Sequence, residues 1–350
     1  MNTEINETRN SEDEILTPTT EAIVPTKSRA FRNLFIGDCG LRPGWSLLIF
    51  ITIFGALMAL ANVVGHNLHP SEPPTPIDKT TRRLTSVLVS TSIPLLAILI
   101  VTLIMSKIEK RRFSVYGLGG KHKVSHFFTG LAWGVTCLSV LIFTLWKTGL
   151  LLIENRLLFG TDVFRYGAIW LFGFFLVALF EESLTRGYLL FTIARGFAGL
   201  YEWIFKTRHH KALGFWTAAL LLSFLFGLGH GSNASESSIG LLSAGLASLV
   251  FCLSLWRTGS LWWAIGFHTT WDWAQSFLYG VADSGTMVQH HLFSSHPAGR
   301  PILSGGATGP EGSIFILALL AFISLIILFT LPRALYGDTK GDLQLVCLGI

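Results

Sequence analysis

The sequence predicts an all-α membrane bundle of about eight transmembrane helices, and three observations lead there. Of its 350 residues, 51% are hydrophobic and only 13% are charged, and the mean hydropathy is +0.55, outside the range of soluble domains. Apolar windows long enough to cross a hydrocarbon core of roughly 30 Å, which takes about 20 helical residues, lie near 44–66, 84–106, 127–153, 163–194, 212–230, 238–256, 260–281 and 313–331. Strands of a membrane barrel would instead alternate over segments of about 10 residues, whereas these windows are continuous in leucine and phenylalanine.

Residues 1–43 are polar, with acids from Glu12 to Glu14 and no early apolar stretch. They read as a disordered cytoplasmic tail and not as a cleavable secretory signal. Residues 44–160 hold the first three helices, with the proline-rich loop "HPSEPPTPIDK" at 69–79 between the first two. Residues 163–282 form the most distinctive part of the chain. A Gly-, Ser- and His-rich stretch reads as an external loop over 283–311, and its His290, His291 and His296 read as unconstrained. The last helix and a short tail occupy 312–350. Small residues such as Gly240, Ala244 and Gly245 suit close helix packing in a membrane.

The formal net charge is +5, and its placement carries more information than its size. Basic residues gather at Lys27, Arg29, Arg32 and Arg42, at Lys107 to Arg112 with Lys121 and Lys123, and at Arg195, Lys206, Arg208 and Lys211. With eight alternating spans these groups share one side, which places both termini in the cytoplasm; a bacterial inner membrane is the expected location. Charges that flank membrane spans give no support to nucleic-acid binding. Cys39, Cys137, Cys252 and Cys347 are scattered, so neither a disulfide framework nor a CxxC metal site is expected.

An ionised side chain at bilayer depth costs roughly 2.5–3.5 kcal/mol on insertion scales, so such residues pair, face a cavity or carry function. Here they are Glu181, Glu182, Arg186 and Arg195 in the fourth window, His230 closing the fifth, His268 and Asp272 in the seventh, and Lys147 in the third. Lys147 is placed to snorkel, and Arg195 reads as lying beyond the membrane face. At about 100° per residue, Glu182 and Arg186 share a face and can pair, whereas Glu181 points away from Arg186. A desolvated, unpaired Glu181 suits a general base or acid near neutral pH. His268 and Asp272 repeat the four-residue spacing, so Asp272 can orient the imidazole. Phe226 lies one turn before His230, with glycines at 227, 229 and 231 permitting close helix approach.

Each feature has a structural reading of its own. The Glu182–Arg186 pair alone is ordinary packing glue, and His268 among Trp262, Trp263, Trp271 and Trp273 fits an aromatic belt. Two acids, two histidines and a further acid on three spans are costly unless they meet in one polar cavity. Straight helices make that meeting difficult. Glu181 lies about 22 Å from Tyr166 and His230 about 28 Å from Lys211 on antiparallel neighbours.

At these residues the chain resembles the CPBP family of intramembrane proteases, which includes the type II CAAX prenyl endopeptidases and bacteriocin-processing and Abi-like proteins. The matching motifs are "EESLTR" (Glu181 to Arg186), "FGLGH" (Phe226 to His230) and "HTTWD" (His268 to Asp272). The resemblance implies an intramembrane endopeptidase acting on a membrane-embedded or lipid-anchored peptide. Glu181 and His230 would activate water, His268 and Asp272 would stabilise the oxyanion, and Glu182, Arg186 and Phe226 would support them. The family more often has Asn where Asp272 stands. An ionised aspartate cannot donate to an oxyanion, so holding His268 is the alternative role. The family is often classed as metalloprotease, and His230 and His268 with a glutamate could hold a catalytic zinc. A metal-free route uses the same groups and is preferred, because none of them forms HExxH. Two rivals to a peptidase stay open. One is a non-catalytic scaffold or immunity-type protein that uses the polar cluster for packing; the other is a proton-coupled transporter.

Overall fold

The computed structural model describes residues 34–37, 40–68 and 81–332. The 69–79 loop, Cys39, Cys347, Lys27, Arg29, Arg32 and most of both tails lie outside the described residues. The chain is mostly helical: α1 (Pro43–Leu68), α2 (Leu84–Ile108), α3 (Lys123–Lys147), α4 (Thr161–Glu182), α5 (Leu190–Phe205), α6 (His210–Gly229), α7 (Ser238–Thr258), α8 (Trp262–Trp273) and α9 (Phe315–Thr330). π-helical turns at Ser183–Leu189 and Ala274–Leu278 come directly after α4 and α8. Local chemistry sets the helix ends where it can. Ser237 caps α7 by accepting the Gly240 N–H at 3.0 Å, and Gly259, at φ 65°, closes it in the left-handed conformation that glycine favours.

Among the described residues, six helices are long and apolar enough to cross a membrane, and the expected count of eight is not confirmed. The windows at 260–281 and 313–331 hold shorter helices, α8 of 12 residues and α9 of 16. The reason is shielding by protein. Trp263, Ala264 and Ile265 of α8 are fully buried, so this segment need not satisfy its backbone as one lipid-length helix. Trp263 and Trp271 are core residues, while the indole N–H groups of Trp262 and Trp273 donate to Leu118 O and Gly167 O. All four thus pack or hydrogen-bond within the protein.

The fourth window is longer than expected: α4, its π turn and α5 make one rod of 45 residues, Thr161–Phe205. Arg195, expected beyond the membrane face, is buried in this rod against the ends of α1 and α2. Its guanidinium reaches Glu109 at 3.6 Å, and Ser46 Oγ and Leu41 O at 3.1 Å each. Glu109 also accepts from the hydroxyls of Tyr116 and Tyr188. An arginine matched in this way does not end an apolar helix. The extra length resolves the mismatch in depth. Measured from the turn between α5 and α6 at 1.5 Å per residue, Glu181 lies about 36 Å along the rod and His230 about 30 Å along α6, so the two come to similar heights.

Glycines set the closest helix contacts. A Cβ at Gly130 of α3 would collide with the Trp263 carbonyl of α8, and one at Gly227 of α6 with the Leu241 carbonyl of α7. Above the helices, the stretch expected as an open external loop is a folded cap. Strand β1 (Thr81–Arg82) runs parallel to β3 (Met287–Val288), and β2 (Leu151–Arg156) runs antiparallel to β4 (Phe293–Pro297). Its histidines are held by separate partners: His290 stacks on Tyr166, His291 Nδ1 meets Phe293 O at 2.7 Å, and His296 Nε2 meets Glu154 at 3.0 Å.

Candidate active site

Beneath the cap lies a cavity of about 110 Å³, lined by Glu181, Phe226, His230, His268 and Asp272. The residues singled out on three helices therefore share one space, and it is large enough for water, which needs roughly 10–15 Å³ on this measure. Packed behind its lining is the Glu182–Arg186 pair, whose side chains are almost wholly buried. Arg186 Nε donates to Ser248 O at 3.2 Å, and its guanidinium lies between the rings of Phe226 and Phe251, 4.9 and 5.3 Å from their centroids. Phe226 also packs on His230, with centroids 4.7 Å apart. The motif phenylalanine thus spaces an arginine from a histidine.

Hydrogen-bond roles come from what each partner can do. His230 Nδ1 lies 2.9 Å from Phe226 O. A carbonyl only accepts, so Nδ1 carries the proton, and the lone pair of the neutral ring sits on Nε2. His268 has carboxylates on both sides: Glu182 Oε1 is 3.2 Å from Nδ1, and Asp272 Oδ2 and Glu181 Oε2 are 3.4 and 3.9 Å from Nε2. A neutral imidazole has one N–H to give, so serving both sides takes the doubly protonated ring. Glu182, matched by spacing to Arg186 alone, therefore has a second partner on another helix. Glu181 keeps the most open carboxylate of the set, with its side chain 27% exposed.

Several lining residues escaped the sequence reading. Arg82, Asp283, Ser284 and Glu311 come down from the cap, and Ile316, Leu320 and Ile323 of α9 form an apolar wall. The i, i+4, i+7 spacing of that wall is visible in the sequence, but the neighbour it faces is not. Glu311 accepts from the backbone N–H and the hydroxyl of Ser284. Burial, with the charges of Asp283 and Glu236, pushes Glu311 up to about 8. Burial also raises Asp283, with Arg82 opposing. Between the ordinary carboxyl range and about 8, the folded protein holds a proton on Glu311 that the unfolded chain has lost, so stability falls as pH rises through that window and levels off above it. Thermal unfolding in detergent is expected to show this slope in the wild type and a flatter one in Glu311→Gln; equal slopes would refute the assignment.

A catalytic zinc needs three protein donors converging on one point. Both nitrogens of His268 are turned to carboxylates, and no group of three His, Cys, Asp or Glu with ligand spacing occurs among the described residues. The donor set does not fit the ion.

Residues 164–274 match the family model of the Rce1-like type II CAAX prenyl endopeptidases. Over these residues the chain is similar to the CPBP intramembrane proteases. No curated protein and no solved structure matches the chain. The matched segment runs from α4 to the end of α8 and contains all three motifs, while α1 to α3, the cap and α9 lie outside it. The matched family is one of membrane peptidases, and the six long apolar helices among the described residues point to an integral membrane protein.

Proposed function

We propose that the protein is an intramembrane endopeptidase in which Glu181 and His230 activate a water against a peptide carbonyl. One observation carries the reading: Glu181, His230 and His268 reach from three separate helices into one cavity with room for water. The Glu181 carboxylate takes a proton from that water while His230 Nε2 accepts its second hydrogen, which aims the oxygen at the carbonyl carbon. Negative charge then develops on the carbonyl oxygen, where the Nε2–H of His268 is the donor at hand. Asp272, an acceptor only, holds the His268 ring by this N–H before reaction, gives it up to the oxyanion as the charge develops, and does not itself contact the oxyanion. The tetrahedral intermediate collapses as the C–N bond breaks, and the leaving nitrogen takes the proton from Glu181. Glu182, Arg186 and Phe226 hold the two histidines in place.

The test is a comparison of membrane peptidomes from cells carrying wild-type protein or Glu181→Ala. Peptides present only with wild type, each ending at one type of bond, support the reading and identify the substrate. Identical peptidomes with function retained would favour the scaffold. Cleavage by purified protein is expected to persist in EDTA and 1,10-phenanthroline, because no step uses a metal. Activity lost to chelation and restored by zinc alone would refute the metal-free route.

A further inference from the structure

We infer that Glu109, at the end of α2 and outside the matched segment, is a positioning residue for the reaction: it grips the rod at and beyond the π turn and so keeps Glu181 turned to the cavity. This rests on the proposed peptidase function and adds what holds its reactive carboxylate in place.

The rod alone would not do so. At about 100° per residue, Glu181, Tyr188 and Arg195, spaced seven residues apart, would all project from nearly one side of an uninterrupted α-helix. In the structure they part. Glu181 lines the cavity, whereas Tyr188 is fully buried and, with Arg195, meets Glu109. The π turn at Ser183–Leu189 makes the difference. Such turns are rare, so contacts must favour this one over regular α-helix.

Glu109 supplies those contacts, and its two oxygens divide the task. Oε1 accepts from the Tyr188 hydroxyl at 3.1 Å and faces Arg195 Nη2 at 3.6 Å, both groups of the rod. Oε2 accepts from the Tyr116 hydroxyl at 3.0 Å and faces Arg111 Nε at 3.4 Å, both groups of the α2–α3 connection. One carboxylate, its side chain 1% exposed, therefore ties the rod to the connection through charge-assisted bonds. Closing the turn into α-helix would carry Tyr188 and Arg195 away from Oε1 and leave a buried carboxylate short of partners. The same movement would turn Glu181 relative to His230 and His268. Within the turn, the Thr185 hydroxyl donates to Glu181 O at 2.6 Å, so the turn bears directly on the residue it positions.

Glu109→Ala would strip two buried arginines of their acid, and loss of fold would mask any effect on the reaction. The test is Tyr188→Phe, which removes only the hydroxyl held by Oε1 and keeps the ring stacked on Phe50, with centroids 4.1 Å apart. Beside it stands Tyr116→Phe, which removes the matching bond to Oε2. Steady-state cleavage by the purified full chain is expected to show kcat lowered about tenfold in Tyr188→Phe with KM within about twofold of wild type, since a misplacement of about 1 Å costs up to about 10²-fold. Tyr116→Phe should keep kcat within about twofold, although it loses the same kind of bond. A merely structural role would lower both alike. Hydrogen exchange read by mass spectrometry should quicken over Ser183–Leu189 in Tyr188→Phe and not in Tyr116→Phe, and the same difference should hold in a Glu181→Ala background, because exchange needs no catalysis. Unchanged kcat in Tyr188→Phe, equal losses in the two variants, or unchanged exchange over the turn would each overturn the inference. Failure of the peptidase reading shows instead as wild-type protein that cleaves nothing while the exchange difference stays, so the two failures are distinguishable.

Discussion

Replacing Glu181 or His230 by alanine in the purified protein is expected to lower peptide cleavage by about 10²–10⁴-fold, the usual contribution of a positioned acid or base. The double variant should be little slower than either single one, because groups that act as a unit on one water are not additive. Folding should survive. Glu181 is the most exposed carboxylate around His268, and among the described residues no short hydrogen bond ties it to a buried partner. Its loss therefore leaves no buried charge unmatched. The check is steady-state cleavage of a peptide taken from the peptidome comparison, alongside the unfolding temperature of the same samples. A Glu181→Ala protein with normal cleavage, or one whose inactivity tracks loss of fold, would defeat the assignment.

The second large effect is on stability. Arg186→Met should destabilise the protein by about 3–5 kcal/mol, the cost of breaking a buried ion pair from one side. Glu182 is fully buried, and without Arg186 its remaining close partner is His268. Restoring charge balance with Glu182→Gln in the same chain should recover part of the loss, giving a clear coupling energy in a double-mutant cycle. Denaturant unfolding in detergent measures it. A loss below about 1 kcal/mol, the range of exposed pairs, would mean that the pair is not the keystone its burial implies.

The sequence made legible those contacts that the geometry of a single helix dictates. Glu182 with Arg186, and His268 with Asp272, are neighbours four residues apart, and both contacts form. Helical content was evident from the apolar runs. The contacts that escaped depend on which helix lies beside which. The contact between Glu182 and His268 joins residues 86 apart, and no spacing rule reaches across that distance. The cap was hidden for another reason. Asp283, Ser284 and Glu311 lie in a stretch whose Gly and Ser content reads as solvent-exposed loop, and only pairing with short strands from elsewhere folds them over the cavity. The partner of Arg195 was hidden for the same reason as that of Glu182, since Glu109 comes from the end of another helix.

The π turn at Ser183–Leu189 has a consequence for the whole rod. In an uninterrupted α-helix, at about 100° per residue, Glu181 and Arg195 would lie about 40° apart and project from nearly the same side. A π turn takes up one additional residue, which rotates everything after it and carries Arg195 to the far side, where Glu109 receives it. A relative that kept every residue but closed this turn into regular α-helix would swing a second guanidinium toward the cavity and neutralise the free carboxylate. The conformation of this turn is thus under as strict a constraint as the identity of either residue, and relaxing it to α-helix should silence the enzyme with every motif still intact.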